Sequence, residues 1–213
     1  MKYNFKFKSK DLYIWYYYHN IMVVFSITKE KILNCMVENR EEDFTIRSLS
    51  DLIKIDYKNC NIAIKELEKE NLIITKKIGN SLICNFTNNY TPFIGYVEYL
   101  RQKVFLKKRE FKLLVNDLEL IPKPFICLLF GSHVKGSASK TSDIDLLFIS
   151  EYEVEIRRVL DRFPFKIHAT FISYSEFISM ANNKEFSVVS EVLKKNVILV
   201  GTEEYYRLLK NVK

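Results

Sequence analysis

The sequence predicts a mixed α/β chain of the α+β kind, made of two unlike halves. Three observations point there. Residues 28–71 hold three segments with apolar positions at helical spacing, followed by two short apolar runs around Gly79-Asn80. Residues 125–130 form a continuous apolar run and residues 144–149 another, broken only by Asp145, as in strands buried on both faces. Strand-period and helix-period segments then alternate to residue 200, which predicts a mixed sheet with flanking helices.

Composition sets the outer limits. The chain has 213 residues, 48% hydrophobic and 28% charged, enough apolar material for two cores and too much for global disorder. Five glycines and four prolines leave no room for a long flexible linker. The net charge of +7 favours an acidic partner, nucleic acid or nucleotide phosphate, although a lysine-rich solubilising surface gives the same total. Cys35, Cys60, Cys84 and Cys127 are widely spaced in apolar surroundings, without a C-x-x-C pair or histidines to complete a zinc site. They read as small buried hydrophobes, and reduced thiols fit a cytoplasmic location.

Four segments follow from the pattern. Residues 1–27 are an arm or hairpin: 2–8 alternate aromatic with polar, and His19 and Asn20 interrupt the apolar run, so neither a secretory signal nor a membrane span is expected. The arm packs on the next domain or on a second subunit of a homodimer, or Met22 marks the natural start; these readings stay open. Residues 28–90 are a helical module with a hairpin, 91–122 a connecting helix, and 123–213 the second domain.

In the first module Thr28 can cap a helix with Ile32, Leu33 and Met36 on one face. Thr45 can cap a second, Ile46 to Ile53, with Leu49, Leu52 and Ile53 turned inward. Asp56 caps the third, where Cys60, Ala63, Ile64 and Leu67 form the buried stripe and Lys58, Asn61, Lys65 and Lys69 the opposite face. Asn71 suits a left-handed helix end. The runs 72–74 and 82–86 flank the turn at Gly79-Asn80, with Lys76 and Lys77 beside it.

This order resembles the winged helix-turn-helix of MarR- and ArsR-like regulators over about sixty residues, most specifically in Ile62-Ala-Ile-Lys-Glu-Leu-Glu-Lys-Glu-Asn-Leu-Ile-Ile74. The resemblance implies that the third helix enters the major groove of double-stranded DNA and the wing reaches the backbone. Lys58, Asn61 and Lys65 would then contact phosphates and base edges, and Lys76 and Lys77 would place charge on the wing. Against this stands the ordinary solvated helix face, and some winged helices bind protein. Thr91-Pro92 ends the module, and one long helix is expected over 93–120, with Lys107-Lys108-Arg109 as a solvated face.

The second domain holds the chemistry. The run Phe125 to Phe130 ends in Gly131-Ser132, ten residues follow, and Asp143-Ile-Asp145 opens the next strand, giving G-S-x10-D-x-D. Gly131 lets backbone approach a phosphate, and Ser132 begins a helix whose free N–H groups attract anions. Asp143 and Asp145, two apart on a strand, share a face about 7 Å apart along the chain. Carboxylates so close to phosphates need a cation, and Mg²⁺ accepts such oxygens together with substrate phosphates. A pair of ions there would align an attacking hydroxyl with an α-phosphate.

The motif resembles that of the minimal, polymerase-β-type nucleotidyltransferases, which include antibiotic nucleotidyltransferases and small antitoxin adenylyltransferases. The following order agrees: helix 152–162, strand 165–173, helix 175–181, a helix to Lys195, and strand 197–200. The resemblance implies that Gly131 and Ser132 hold the phosphates of ATP or another NTP and that Asp143 and Asp145 bind Mg²⁺. Lys135 and Lys140, in the loop between, are counted with the nucleotide-binding candidates. The family places a third carboxylate on the next strand; here Phe165 to Ser173 has no Asp or Glu, and His168 takes the aligned position. His168 is therefore a candidate metal ligand or base, or a structural residue. If it shares the face of Asp143 and Asp145, alternation puts Lys166 and Thr170 there and turns Ile167, Ala169 and Phe171 to the core. Two functions follow: transfer of a nucleoside monophosphate onto a protein or small-molecule hydroxyl, or DNA-bound regulation by a degenerate domain that only binds nucleotide or partner.

Overall fold

The computed structural model describes residues 13–18, 21–40, 42–139, 141–183 and 187–212. They fall in two units, residues 1–97 and 98–213. The expected strand at 2–8 and the interruption at His19-Asn20 lie outside the described residues.

In the first unit, strands β1 (Tyr13–Tyr18) and β2 (Ile21–Ser26) pair antiparallel from Tyr13 opposite Ser26 to Tyr18 opposite Ile21. Strand β2 runs directly into α1 (Ile27–Glu38), so Ser26 stands at the N-cap and Thr28 already lies in the first turn, not at the cap position expected for it. Helix α1 buries Ile32, Leu33, Cys35, Met36 and Val37.

A two-residue strand β3 (Phe44–Thr45) leads into α2 (Ile46–Ile53), where Thr45 and Ser48 cap each other's backbone N–H. The inner face of this short helix is Ile46, Leu49 and Ser50, spaced by three and four. Leu52 falls off that stripe and is 58% exposed, contrary to the expectation that it turns inward. Lys54, at φ 54°, reverses the chain, and Asp56 caps α3 (Tyr57–Lys69) by accepting from the N–H groups of Lys58 and Asn59 at 2.9 and 3.2 Å. Cys60, Ala63, Ile64 and Leu67 are its buried stripe. Asn71, at φ 56°, ends it in the left-handed region. Strands β4 (Ile73–Ile78) and β5 (Ser81–Phe86) then form a hairpin closed by Gly79 at φ 57°, and β3 joins it in the order β3-β5-β4.

Helix α4 (Pro92–Phe105) crosses the boundary between the units, and α5 (Arg109–Glu119) follows. The expected single helix over 93–120 is thus two helices. Val104, in phase with Phe111 on a continuous helix, is 60% exposed while Phe111 is fully buried. The break at 106–108 lets α5 turn its own stripe of Phe111, Leu114, Val115 and Leu118 onto the core.

The second unit is a four-stranded mixed sheet between helices. Its strands are β6 (Ile126–Phe130), β7 (Ile144–Ile149), β8 (Ile167–Ile172) and β9 (Val197–Val200), in the order β8-β7-β6-β9. Strand β6 is buried at all five positions. It pairs antiparallel with β7 and β9, and β7 pairs parallel with β8. One sheet face, with Cys127, Leu129, Leu146, Phe148 and Leu199, packs in a single cluster with α5 and with Ile156 and Val159 of α7 (Glu153–Leu160). Four helices complete the unit: a single turn α6 (Ser132–Lys135), α8 (Tyr174–Asn182), α9 (Val188–Lys194) and α10 (Thr202–Leu209). The last three bury Phe177, Val189, Val192, Tyr205 and Tyr206.

Candidate active site

Strand β6 ends at Gly131, which takes φ 69° and ψ −148°, a conformation essentially confined to glycine. Space demands glycine as well, because a Cβ there would collide with Oδ2 of Asp145. The chain then makes one turn of helix, closed by Lys135 N–H to the Gly131 carbonyl at 3.0 Å, and reverses at Gly136 with φ 76°. The helix expected at Ser132 is therefore too short for a developed dipole, and what remains for an anion is local backbone geometry. The rest of the loop is tied by hydroxyls: Ser142 Oγ accepts from Ser139 N–H at 2.8 Å, and Ser139 Oγ lies 3.1 Å from Thr141 Oγ1.

The antiparallel register sets Asp145 opposite Phe130, the residue before Gly131. On its other side the parallel register sets Asp145 beside His168 and Ile144 beside Ile167, with the Ile144 N–H donating to the Lys166 carbonyl at 2.9 Å. Side chains follow: His168 Nδ1 lies 3.4 Å from Asp145 Oδ1, and Lys166 Nζ lies 3.8 Å from Asp143 Oδ1. Ile167, Ala169 and Phe171 pack against the core cluster, as alternation requires. Asp143, Asp145, Lys166 and His168 thus meet at one end of the sheet, open to solvent at Lys166 and His168.

Lys135 is drawn to Glu191 of α9, with Nζ 2.6 Å from Oε1. Neither partner was paired with the other by sequence reasoning, since α9 reaches the loop only through the tertiary fold. Lys140 lies outside the described residues. His133 stacks edge-on against Phe111 at 5.4 Å, with both ring nitrogens buried and without a hydrogen-bond partner among the described residues. Cys127, in the middle of β6, is fully enclosed and burial pushes its thiol far up, which removes it as a nucleophile.

Residues 108–211 match the family described as nucleotidyltransferase domain. This segment, just under half of the chain, is similar to that family. The match spans α5 to α10 and includes every residue of the constellation just described. A search of the curated proteins and one of the solved structures give no match to the chain.

The donor set can be weighed against the divalent metal that such domains use. Asp143 and Asp145 supply hard oxygen ligands on one edge, suited to Mg²⁺ shared with substrate phosphates. Among the described residues no cluster of three or more His, Cys, Asp or Glu side chains is arranged as a self-sufficient metal cage. Two carboxylates on one edge would suit such an ion only together with oxygens of a bound nucleotide.

In the first unit Lys58 and Lys65 lie exposed on α3, one turn either side of the half-buried Asn61. Lys76 and Lys77 are exposed on β4, next to the hairpin turn. Exposed Tyr57 and Ile62 interleave with the lysines of α3. Among the described residues no helix is long and apolar enough to cross a membrane.

Proposed function

We propose that the protein is a DNA-binding nucleotidyltransferase that moves a nucleoside monophosphate, AMP from ATP, onto a hydroxyl of a protein or small molecule in the cytoplasm. The observation that supports this most is the meeting of Gly131, Asp143 and Asp145 at one sheet end within a segment that matches the nucleotidyltransferase domain. In the transfer the acceptor oxygen bonds to the α-phosphorus, and the bond from that phosphorus to the oxygen bridging toward the β-phosphorus breaks. Pyrophosphate leaves with the bonding electrons, and the acceptor proton passes to a base. Mg²⁺, when bound, neutralises phosphate charge and polarises the phosphoryl oxygen.

The residues divide the work. Asp143 and Asp145 hold the cation, and Gly131 and Ser132 bring backbone close to the phosphates. Lys135, ion-paired with Glu191, would exchange that carboxylate for a phosphate when nucleotide binds. His168, beside Asp145, would take the acceptor proton, a role its nearness to that carboxylate supports. In the first unit the helices and hairpin have the element order of a winged helix, which supports docking of α3 in the major groove of double-stranded DNA with β4 and β5 as the wing. Incubation with α-³²P-ATP and Mg²⁺, with and without cell extract, tests the transfer. Label appearing on a protein or small molecule supports it, and absence of label under every condition rejects it.

One observation favours a second reading. The segment 165–173 that contains β8 offers Lys166 and His168 to the carboxylates and has no Asp or Glu of its own. On that reading the protein is a DNA-bound regulator whose transferase domain binds nucleotide without turnover. Nucleotide-dependent change in DNA affinity together with absent transfer would select it.

A further inference from the structure

We propose that the site takes one divalent cation per bound nucleotide, and that the Lys166 ammonium holds the place of a second. This rests on the nucleotidyl-transfer reading and narrows it. The argument begins with backbone register. Strands β7 and β8 pair in parallel with Asp145 beside His168, and the Ile144 N–H donates to the Lys166 carbonyl at 2.9 Å. That pairing fixes which β8 side chains can reach the two carboxylates. Ile167 and Ala169 are committed to the core, so among the described residues Lys166, just before β8, and His168 are the ones that flank Asp143 and Asp145 from this segment.

A second ion, about 3.5–4 Å from the first, needs carboxylate oxygens that bridge or complete its shell. Here the flanking positions bring an ammonium 3.8 Å from Asp143 Oδ1 and an imidazole nitrogen 3.4 Å from Asp145 Oδ1. An ammonium within 4 Å of a carboxylate meets a divalent ion at the same carboxylate with twice the repulsion of two unit charges. The two therefore compete for one place. The ammonium also has reach: the Lys166 side chain is 83% exposed, so it can turn from Asp143 toward the phosphates without leaving a buried gap.

The experiment is a Mn²⁺ titration of the full chain, read by electron paramagnetic resonance, with the non-hydrolysable probe α,β-methylene-ATP. One Mn²⁺ per chain is expected for the wild type. Lys166→Ala, which vacates that place but adds no oxygen ligand for an ion, should keep that count and weaken nucleotide binding several-fold. Lys166→Glu, which replaces the ammonium beside Asp143 with a carboxylate at an exposed position, should raise the count to two. Two ions in the wild type, or an unchanged single ion in Lys166→Glu, overturn the proposal while leaving nucleotidyl transfer intact. Binding of neither Mn²⁺ nor the analogue by the wild type overturns the transfer reading itself.

Discussion

The Asp145 carboxylate fills the space in which a side chain at Gly131 would begin. The two residues come from neighbouring strands, Gly131 following β6 and Asp145 opening β7, so the contact depends on their antiparallel register. It links the loop after β6, proposed to approach phosphate, to the residue proposed to hold the cation.

Gly131→Ala should therefore do double damage. The added methyl meets Asp145, and alanine is strained at φ 69° and ψ −148°, a cost of about 1–3 kcal/mol. Moving Asp145 aside should weaken Mg²⁺–ATP binding about ten-fold or more, since about 1.4 kcal/mol is a factor of ten. Calorimetry beside a thermal melt separates the two effects. Unchanged Mg²⁺–ATP affinity in a folded Gly131→Ala protein would show that the close approach has no bearing on the nucleotide.

The double change Asp143→Asn and Asp145→Asn asks a different question. It keeps volume and removes the anionic oxygens that Mg²⁺ requires. Asp143 is exposed and Asp145 only half-buried, so the fold should survive with the same cooperative melt. Mg²⁺-dependent ATP binding should disappear. Equal affinity in wild type and double mutant would remove these residues from the metal site.

DNA binding has its own signature. If α3 and the hairpin neutralise several phosphates, log affinity should fall with log salt at about −0.9 per phosphate contacted. Lys65→Ala and Lys77→Ala, both exposed and away from the core, should each flatten that slope by about one unit. Fluorescence anisotropy with a labelled duplex at several salt concentrations gives the slopes. A full-length protein that binds no duplex at low ionic strength would leave the first unit without this role.

These tests rest on residues that differ in how far they could be read from sequence. Thr45, Asp56 and Asn71 act on their own helices, so local chemistry placed all three. The face shared by Asp143, Asp145, Lys166 and His168 follows from period-two alternation once β7 and β8 are neighbours. Thr28 went wrong because a good capping residue lost to a strand that continues straight into the helix. Helix α10 was missed because it begins beyond the last apolar strand, at Gly201, where only the fold shows that Tyr205 and Tyr206 are buried. Glu191 and Lys135 are 56 positions apart, and nothing local pairs them.

The least legible feature was a buried charge pair, and it gives the sharpest stability prediction. Glu98 and Arg101 sit one turn apart on α4, a spacing that ordinarily marks a solvated face, yet they are only 1% and 5% exposed. Arg101 Nη1 donates to Glu98 Oε2 at 2.5 Å and Nη2 to the Asn196 carbonyl at 2.6 Å. The Tyr206 hydroxyl donates to Glu98 Oε1 at 2.7 Å, so the cluster ties α4 to the start of β9 and to α10. Arg101→Ala removes the guanidinium from the buried Glu98 carboxylate and should cost about 3–5 kcal/mol. Tyr206→Phe removes one bond to a charged acceptor and should cost about 1.5–3 kcal/mol. The Arg207–Glu203 pair on α10 is the control, because its side chains are 74% and 40% exposed; Arg207→Ala should change stability by less than about 1 kcal/mol. Urea unfolding of the three variants checks the order, and an Arg101→Ala protein as stable as Arg207→Ala would show that the buried pair contributes nothing to holding α4 on this unit.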